Sequence, residues 1–518
     1  MTPAKAVIPV HPTGEGKNRQ IVAQKPAVVE TFNGRIHVEW SPDSAVTPLG
    51  QLPFFIEFLK TADLFDPWVA ESPLHYASPN APDKRDILGT LMLSILAGHQ
   101  RYAHITAMRC DRVNPALLGM KKVVSEDSMR RAFGKNCNEE PCHAWMSRHL
   151  QRCYEPLLYE PWILDIDTSV KPLYGKQEGA VVGYNPKKPG RPSHAYHSYF
   201  MANTRLCLDV ELAAGNETNA SYSGPGLWKF LDGLPMAARP TFVRGDIGFG
   251  QDAMIREAEK RLIDYLFKIK QTARVKELVE QLRTRTDWES CGQGWEGLES
   301  ELKLQGWKRF RRVIILRRRL RNNVMSVTHD KKTRQPMLTN IEVGEGGIGY
   351  EYAALVTSLT DDLLTVAQHY RDRADCENNF DELKNHWGWG GFTTQDMKRS
   401  KIMSRMTALI YNWWTLFTRM AIPDKHAEAI TSRTLLLHAI GQQVEHGRQK
   451  SIRITSMHGS RAVVEKALRK VSSFLRWIHK NAEQLSWMDR WRLILSRIFV
   501  KFLKGKILAP PPFLSAPC

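Results

Sequence analysis

The sequence predicts an α/β protein in which a mixed β-sheet is covered by helices and flanked by helical regions at both ends. Residues 162–270 read as strand, strand, strand, helix, strand, helix, strand, an order typical of a mixed sheet with helices on its faces. Apolar residues recur at helical spacing from about residue 49 to 109 and again after residue 426. Between about 275 and 360 several segments alternate or run apolar like strands, which predicts a β-rich insertion.

The composition indicates a globular chain with a polyanionic partner. With 518 residues, 42% of them hydrophobic, the chain is long enough for two to four domains and a sizeable core. Lys and Arg total 73 against 54 Asp and Glu, and the net charge of +19 is compatible with DNA, RNA or an acidic membrane surface. The longest apolar run, around 87–97, is shorter than the roughly 20 residues of a membrane span. The N-terminus has no signal-peptide pattern, so we expect a cytoplasmic protein.

The eight cysteines lack regular spacing and predict reduced thiols. A zinc site is the alternative, since several potential ligands lie close together in sequence. They are Cys137, Cys142, His143, His149 and Cys153. No C-x2-C pair or paired knuckle spacing occurs among them, which favours ordinary thiols beside a helix.

The region before the predicted sheet reads as a small helical bundle. A strongly apolar segment at 85–109 predicts a buried helix. Ser125 is placed to cap a short helix that carries Arg130 and Arg131. Several helices followed by a short basic one favour a helix-turn-helix reader of DNA ends, although any small helical bundle gives a similar pattern.

Three acidic residues are candidates for chemistry, and two of them lie in the first predicted strand. In PWILDIDTSV, apolar residues alternate with Asp165 and Asp167, which places both carboxylates on one face of a strand. Neighbouring buried carboxylates are costly unless a cation neutralises them, and a metal ion would do so. Asp246 ends a later strand, TFVRGD, directly before a glycine-containing turn.

A later segment, residues 369–387, predicts one helix with a stripe of four functional side chains. At about 100° per residue, Tyr370, Arg373, Glu377 and Lys384 fall within roughly 60° of one another. Glu377 can hold a cation while Arg373 and Lys384 hold phosphates, as a metal-dependent enzyme acting on a phosphate backbone requires. A surface helix with an i,i+4 ion pair is the alternative, and it leaves the tyrosine and the lysine unexplained. Asp381 faces the same side and is a further candidate.

The spacing Y-x2-R-x3-E-x6-K of these four residues resembles the signature of bacterial insertion-sequence DDE transposases of the group numbered four. The stretches DIDTSVKPLYGKQEGAVVGYNPKKPGRPSH, AAGNETNA and VRGDIGFG are similar to the thirteen-eighty subgroup, so the resemblance covers about residues 162–392. It implies a ribonuclease-H-like catalytic core in which Asp167, Asp246 and Glu377 are the catalytic acids and metal ligands. They would hold two Mg²⁺ ions, which Mn²⁺ can replace. Asp165 would support them, and the resemblance assigns DNA phosphates to the side chains of Tyr370, Arg373 and Lys384.

The function implied by this resemblance is cut-and-paste transposition of an insertion sequence. A homodimer in a synaptic complex would bind double-stranded DNA at the terminal inverted repeats of its own element and would not contact a membrane. It would perform metal-dependent strand cleavage and strand transfer through a hairpin intermediate, associated with the nucleoid in the bacterial cytoplasm. Two alternatives remain, namely a domesticated DNA-binding protein without the chemistry and a stand-alone nuclease of the same fold.

Three basic segments outside the acids are expected to contact DNA. The loop at 183–193 carries Lys187, Lys188 and Arg191, and reads either as a solvated turn or as a clamp on the DNA backbone. Eight Lys or Arg residues lie between 308 and 321, and in proteins similar to this one the insertion contacts DNA and holds a flipped base on an aromatic side chain. Trp288, Trp295 and Trp307 are candidates for that stacking, although each also fits a core position. The C-terminal amphipathic basic helices suit a membrane surface, a partner helix or a dimer, and the resemblance favours a dimer.

The predicted organisation follows from these segments. It consists of a flexible tail at 1–30, a helical DNA-end-binding domain at 31–150, the first part of the catalytic core at 151–274, a β-rich insertion at 275–360, the second part of the core with Glu377 at 361–422, and a basic helical region at 423–518 with a possible role in dimerisation.

Overall fold

The structure is a computed structural model that describes residues 26–41, 44–76, 78–135, 137–185, 188–218, 220–319, 327–329, 336–338, 341–343, 349–392, 394–455 and 459–510. It divides into two units, residues 1–44 and 45–518. In the first unit, β1 (Ala27–Thr31) and β2 (Gly34–Val38) form an antiparallel hairpin. The sequence predicted a tail followed by helices here, and that prediction is wrong for these residues. The Asn33-Gly34 turn, with Gly34 at φ 102°, favours a hairpin between two short alternating segments.

The second unit begins with a short strand and seven helices. These are β3 (Val46–Thr47), α1 (Leu52–Thr61), α2 (Phe65–Ala70), α3 (Lys84–Leu96), α4 (Ile105–Met108), α5 (Asn114–Leu117), α6 (Glu126–Lys135) and α7 (Glu139–Arg152). The carboxylate of Asp83 caps α3 by accepting the Arg85 amide at 2.9 Å, and α3 is buried on nearly every side. The hydroxyl of Ser125 accepts the Ser128 amide at 3.3 Å, so the predicted cap of α6 is confirmed. A DNA-reading role for these helices stays a prediction.

The centre of the unit is an 11-stranded mixed sheet in the described residues. Its strands are β4 (Ile163–Pro172), β5 (Val181–Val182), β6 (Pro192–Met201), β7 (Leu206–Ala214), β8 (Phe242–Gly245), β9 (Asp264–Lys268), β10 (Glu289–Gly292), β11 (Trp295–Leu302), β12 (Arg311–Arg319), β15 (Ile341–Val343) and β16 (Gly349–Thr357). β13 (Val327–His329) and β14 (Pro336–Leu338) form a separate two-stranded antiparallel sheet. The order is β10-β11-β12-β16-β9-β8-β4-β6-β5, with β7 paired to β6 and β15 paired to β16.

The strand directions match the predicted mixed sheet. β4, β8 and β9 are parallel neighbours, whereas β6 and β7 are antiparallel additions on the other side of β4. α8 (Ala220–Asp232) connects β7 to β8 and α9 (Asp252–Lys260) connects β8 to β9, so the predicted order of elements over 162–270 is confirmed. After α10 (Ala273–Arg283), the strands predicted for the insertion continue this same sheet, because β16 pairs antiparallel with β9.

The remaining helices pack around the sheet or follow it. They are α11 (Leu363–Arg371), α12 (Ala374–His386), α13 (Met397–Ala421), α14 (Ala429–Leu436), α15 (Arg461–Lys480) and α16 (Trp487–Ile498). α13 is the buried helix predicted from its apolar sequence. Its Asn412 side chain accepts the Cys207 amide at 2.9 Å and donates to the Cys207 carbonyl at 2.7 Å, which ties α13 to β7. No helix within the described residues is long and apolar enough to cross a membrane.

The C-terminal region is not wholly helical, contrary to the prediction. β17 (Ile440–His446) and β18 (Gln449–Thr455) form a hairpin that adds to β3 as a three-stranded sheet. Gly447, at φ 59°, occupies the turn, and Ile452 and Ile454 alternate with polar neighbours as a strand requires.

The cysteine prediction also needs a correction, because Cys137 and Cys142 form a disulfide with a Cα–Cα distance of 6.5 Å. Both side chains are buried where α7 begins. His149 of the proposed zinc cluster instead faces Glu71, with Nε2 3.2 Å from a carboxylate oxygen. The zinc alternative therefore lacks the free ligands that it would need.

Candidate active site

The first two predicted acids come together because β4 and β8 are parallel and in register. Ile166 on β4 pairs with Gly245 on β8, so Asp167 and Asp246 are the next residues along two adjacent strands. Neighbouring strands lie about 4.8 Å apart, which brings both carboxylates to one place on the sheet. The Gly248 amide donates to Asp246 Oδ1 at 2.9 Å and fixes the turn after β8.

The third acid arrives on a helix that is not continuous with the one carrying the tyrosine. Tyr370 lies near the end of α11 and Glu377 in the first turn of α12, so the predicted single helix over 369–387 is wrong. The Arg373 amide bonds to the Tyr370 carbonyl at 3.2 Å and the Cys376 amide to the Arg373 carbonyl at 2.9 Å, both three residues back. The backbone thus tightens for one turn, as in a 3₁₀-helix, and the angular positions calculated for an unbroken α-helix do not apply across it.

Arg373 joins the first and third acids. Its Nη2 lies 3.2 Å from Asp167 Oδ1, and its Nη1 donates to Glu377 Oε1 at 2.7 Å. Arg373 is only 4% exposed, whereas the Glu377 side chain is 63% exposed. Arg373 therefore acts as the shared counter-charge of these two carboxylates. Its Nε has no hydrogen-bond partner within the described residues, and its predicted contact with a DNA phosphate stays a prediction.

The pKa of Asp167 indicates that the three carboxylates lie close enough to repel one another. Burial raises the pKa of Asp167 to about 6, the Arg373 charge lowers it, and the Asp246 and Glu377 carboxylates raise it. Burial likewise raises the pKa of Tyr370 to about 12; Arg373 opposes this, and all three acids add to it. Tyr370 is thus close enough to the acids for their charges to affect its pKa, and its predicted contact with a DNA phosphate stays a prediction.

Asp165 is neutralised by a residue that the sequence analysis did not select. Arg244 on β8 donates from Nε and Nη2 to the two carboxylate oxygens of Asp165, at 2.5 and 2.7 Å, and both residues are 1% exposed. Nη1 of Arg244 also donates to the His369 carbonyl at the end of α11. The cation that the sequence required beside Asp165 is therefore a guanidinium, and it fastens β4, β8 and α11 together. Burial raises the pKa of Asp165, and Arg244 opposes that rise.

The last member of the predicted stripe, Lys384, and the further candidate, Asp381, both form hydrogen bonds within the protein. Lys384 Nζ donates to the Val170 carbonyl at 2.7 Å, three residues beyond Asp167 on β4. Asp381 is exposed and accepts a hydrogen bond from the Asn385 side chain at 2.8 Å. The structure therefore places Lys384 along the strand that carries the first acid, and its predicted phosphate contact stays a prediction.

The acids suit a divalent cation in their chemistry. Carboxylate oxygens are the ligands that Mg²⁺ prefers, and a cation would relieve the repulsion that raises the pKa of Asp167. Within the described part of the chain no group of three His, Cys, Asp or Glu side chains is already drawn together as metal ligands. The Arg373 guanidinium contacts both Asp167 and Glu377.

The tryptophans proposed as stacking platforms are covered by arginines. The Arg317 guanidinium lies 3.9 Å from the ring centre of Trp288, Arg318 lies 4.8 Å from Trp295, and Trp307 is buried. Much of the basic charge at 308–321 is also paired with carboxylates. The pairs are Arg311 with Asp252 and Glu259, Arg312 with Glu299, Arg317 with Glu296, and Arg318 with Glu351.

Two cations of the basic loop at 183–193 lie beside the ring of an exposed tyrosine. Lys188 and Arg191 lie 5.1 and 4.9 Å from the ring centre of Tyr174, while Lys187 lies outside the described residues. Tyr174 was not selected from the sequence. The only signal was its position at the end of the acid-bearing strand, between that strand and the basic loop.

Comparison with known proteins identifies the family. The model of the family described as "Transposase DDE domain group 1" matches residues 81–475. No curated protein sequence matches the chain. Among solved structures the chain is similar to a piggyBac transposase, in a cryo-EM structure of its synaptic complex with hairpin DNA, over 91% of this chain and 87% of that chain at 10% identity. The TM-score is 0.38, too low to support an argument. DDE transposases bind DNA and generally use divalent metal ions. Because the family model matches well over half of this chain's 518 residues, the chain belongs to the DDE transposase family.

Proposed function

We propose that this DDE transposase performs cut-and-paste transposition of a bacterial insertion sequence of the group numbered four, thirteen-eighty subgroup, with Asp167, Asp246 and Glu377 as its catalytic acids. The observation that carries the proposal is the register of β4 and β8, which sets Asp167 beside Asp246, together with Arg373, which ties Glu377 to Asp167. The strand order β7-β6-β4-β8-β9, with the last three strands parallel, supports a ribonuclease-H-like core.

The proposed chemistry is metal-dependent phosphoryl transfer. Two Mg²⁺ ions, or Mn²⁺, held by the three carboxylates would supply an activated water or 3′-hydroxyl and stabilise the leaving oxygen. The chain's own groups bind and orient the DNA. With its pKa raised to about 12, the Tyr370 hydroxyl stays protonated at neutral pH and donates to a phosphate oxygen. Arg373 keeps an unpartnered Nε for the same backbone.

The proposed partner is double-stranded DNA carrying the terminal inverted repeats of the element, bound by a homodimer in a synaptic complex. The net charge of +19 supports a polyanionic partner. The basic helix α15 exposes Val463 and Trp477, which supports a role for the C-terminal region in pairing two subunits. A hairpin intermediate on the element end belongs to the same proposal.

A cleavage assay on a labelled duplex tests these roles. The duplex carries an inverted repeat with its flanking DNA, and the full chain is assayed with Mg²⁺, Mn²⁺ or EDTA. We expect metal-dependent nicking at the element boundary, loss of nicking in Glu377→Gln, and unchanged DNA binding in that variant. Glu377 is exposed, so the substitution leaves the fold intact. Asp361→Asn, at an exposed carboxylate before α11, is the matched control and keeps its activity.

Each other outcome assigns a different function. Binding without nicking by the natural chain in either metal favours a DNA-binding protein that has lost the chemistry. Nicking without joining to a supplied target duplex favours a stand-alone nuclease. Equal nicking by Glu377→Gln and the natural chain contradicts the assignment of the third acid.

A further inference from the structure

A groove of about 470 Å³ follows one face of α15 in the C-terminal region. The helix lines it from Arg461 to Arg476 with residues three or four positions apart, so the groove extends along about four turns. Phe54 of α1 and two residues of β18, Ile452 and Ile454, also line it. Its volume falls within the roughly 300–1,000 Å³ typical of ligand sites, and none of the three candidate catalytic acids lines it.

The deeper part of the groove is apolar and incompletely covered. Val464 and Leu468 of α15 are buried, whereas Phe54, Ile452 and Ile454 are each partly exposed. Three large apolar side chains from two elements therefore remain in contact with water in the same concave surface. Such a surface favours a ligand whose own apolar groups cover it.

The strand beside the groove has one unpaired edge. The strand order is β18-β17-β3, so β18 has a neighbour on one side only within the described residues. No backbone hydrogen bond joins the other side of Gln449–Thr455 to a described segment of the chain. An edge strand of this kind can accept an extended peptide as a further strand, since backbone groups on that side are free.

The rim of the groove carries unpaired positive charge. Among its described lining residues Glu465 is the single carboxylate, and it is paired with Arg469 at 2.7 Å. Arg461 and Arg476 are exposed, and neither forms an ion pair with a carboxylate in the described part of the chain. Because they are the first and last residues of α15 in the lining, a cation without an anion lies at each end of the groove.

This combination of features favours a peptide over other polyanions. A DNA backbone would satisfy the two arginines, but its phosphates and sugars would not cover Phe54, Ile452 and Ile454. A membrane surface requires apolar side chains on a protruding face, whereas these lie in a concave one. A second copy of α15 would bring the same unpaired arginines against this rim, where like charges repel. An acidic peptide with apolar side chains satisfies both the rim and the apolar surface.

We propose that this groove binds an acidic segment of a partner protein as an extended peptide added to β18, with its apolar side chains on Ile452 and Ile454 and its carboxylates on Arg461 and Arg476. The two arginines are 15 residues apart on α15, or roughly 22 Å along the helix. About seven residues of extended chain span that distance. The expected ligand therefore has acidic residues at both ends and apolar residues at alternate positions between them. The inference goes beyond DNA transposition, because it gives the chain a protein partner.

Peptide binding to the full chain tests the proposal. Fluorescence anisotropy is measured with the fluorescein-labelled peptide EESISVSEE, with its charge-reversed form KKSISVSKK and with EESSSSSEE, which lacks the apolar residues. We expect the first peptide to bind at least about 10-fold more tightly than either of the others, because it alone matches both the charge and the apolar surface.

Two variants place the peptide in the groove. Arg476→Glu should weaken binding of EESISVSEE about 5-fold or more, and Arg448→Glu, at an exposed arginine in the β17–β18 turn, is the matched control for the charge. Ile454→Ser should weaken it about 10-fold, and Ile440→Ser, at a residue that is 62% exposed on β17, is the matched control for the apolar contact. All four variants should melt with the natural chain and should nick the inverted repeat as it does.

Several outcomes would overturn the proposal. One is the absence of binding by EESISVSEE up to about 1 mM, and another is natural affinity in both Arg476→Glu and Ile454→Ser. If duplex DNA displaces the peptide and Arg476→Glu weakens both ligands equally, the groove is a DNA surface. If the peptide does not bind and Ile454→Ser converts a dimer into a monomer in sedimentation, a second copy occupies the groove. None of these results alters the proposed function, which the cleavage assay tests separately.

Discussion

Replacing Arg244 with methionine should destabilise the protein strongly, although Arg244 is not one of the predicted catalytic acids. The substitution leaves Asp165, 1% exposed, without its bidentate partner, and it leaves the His369 carbonyl without a donor. Breaking a buried ion pair by removing one partner costs about 3–5 kcal/mol. The unfolding entropy of about 2.1 cal/mol/K per residue, over residues 45–518, sums to roughly 1 kcal/mol/K. The melting temperature should therefore fall by about 3–5 °C.

A double variant separates the charge from the packing. In Asp165→Leu with Arg244→Met both buried charges are gone, so about half of the lost melting temperature should return. The His369 carbonyl still lacks its donor, which leaves a residual cost of about 1–3 kcal/mol. Arg469→Met, in an exposed i,i+4 pair, controls for the loss of an arginine and should cost about 0.5 kcal/mol or less. A double variant as unstable as Arg244→Met alone would refute the buried-charge explanation.

Three further perturbations have expected outcomes. The pKa of Asp167 is raised to about 6 from 3.8, so the folded state holds this proton more tightly; the contribution of Asp167 to the free energy of unfolding without metal should fall by about 2 kcal/mol from pH 4 to pH 7, and urea titrations of the natural chain and Asp167→Asn should differ by that amount across this range. Burial acts to raise the pKa of Glu382, but hydrogen bonds from His426 and other donors lower it overall. Its stabilisation is therefore present above pH 4.5 and lost on acidification, and Glu382→Gln should flatten the acid side of the stability curve. Trp413→Ala should cost about 3–5 kcal/mol by calorimetry, whereas Trp477→Ala, 52% exposed, should cost about 1 kcal/mol or less.

The central sheet could be predicted because its strands carry local signals. Alternation around Asp165 and Asp167 indicates β4, and the glycine turn after Asp246 marks the end of β8. The hairpins β1–β2 and β17–β18 were missed, although short turns with Gly34 and Gly447 indicated them. The first hairpin begins inside a stretch, residues 1–30, that is rich in Pro, Ala, Gly and Lys, and the second lies in a polar, basic region, so composition gave too much weight to tail and to helix there.

The site was harder to predict than the sheet, because its contacts join residues distant in sequence. The spacing of Tyr370, Arg373 and Glu377 located the right segment but assumed an unbroken helix. Nothing local to Asp165 indicated that its counter-charge is Arg244, which is 79 residues away. A signal did exist, because an arginine buried within the strand FVRG needs a carboxylate or a carbonyl oxygen as its hydrogen-bond partner.

The two arginines of the site differ in whether an incoming cation could displace them from their carboxylate partners. Arg244 and Asp165 are both buried, and Arg244 also holds α11, so their pair is part of the scaffold. Arg373 is buried too, but one of its two carboxylates, Glu377, is 63% exposed, and that contact is open to solvent. An incoming cation would therefore compete with Arg373 for Glu377 and Asp167, and would leave the Asp165 pair undisturbed. Under the proposed function, we expect the Asp165–Arg244 pair to keep α11 and β4 in place while Arg373 exchanges its carboxylate partners for the phosphates of the DNA.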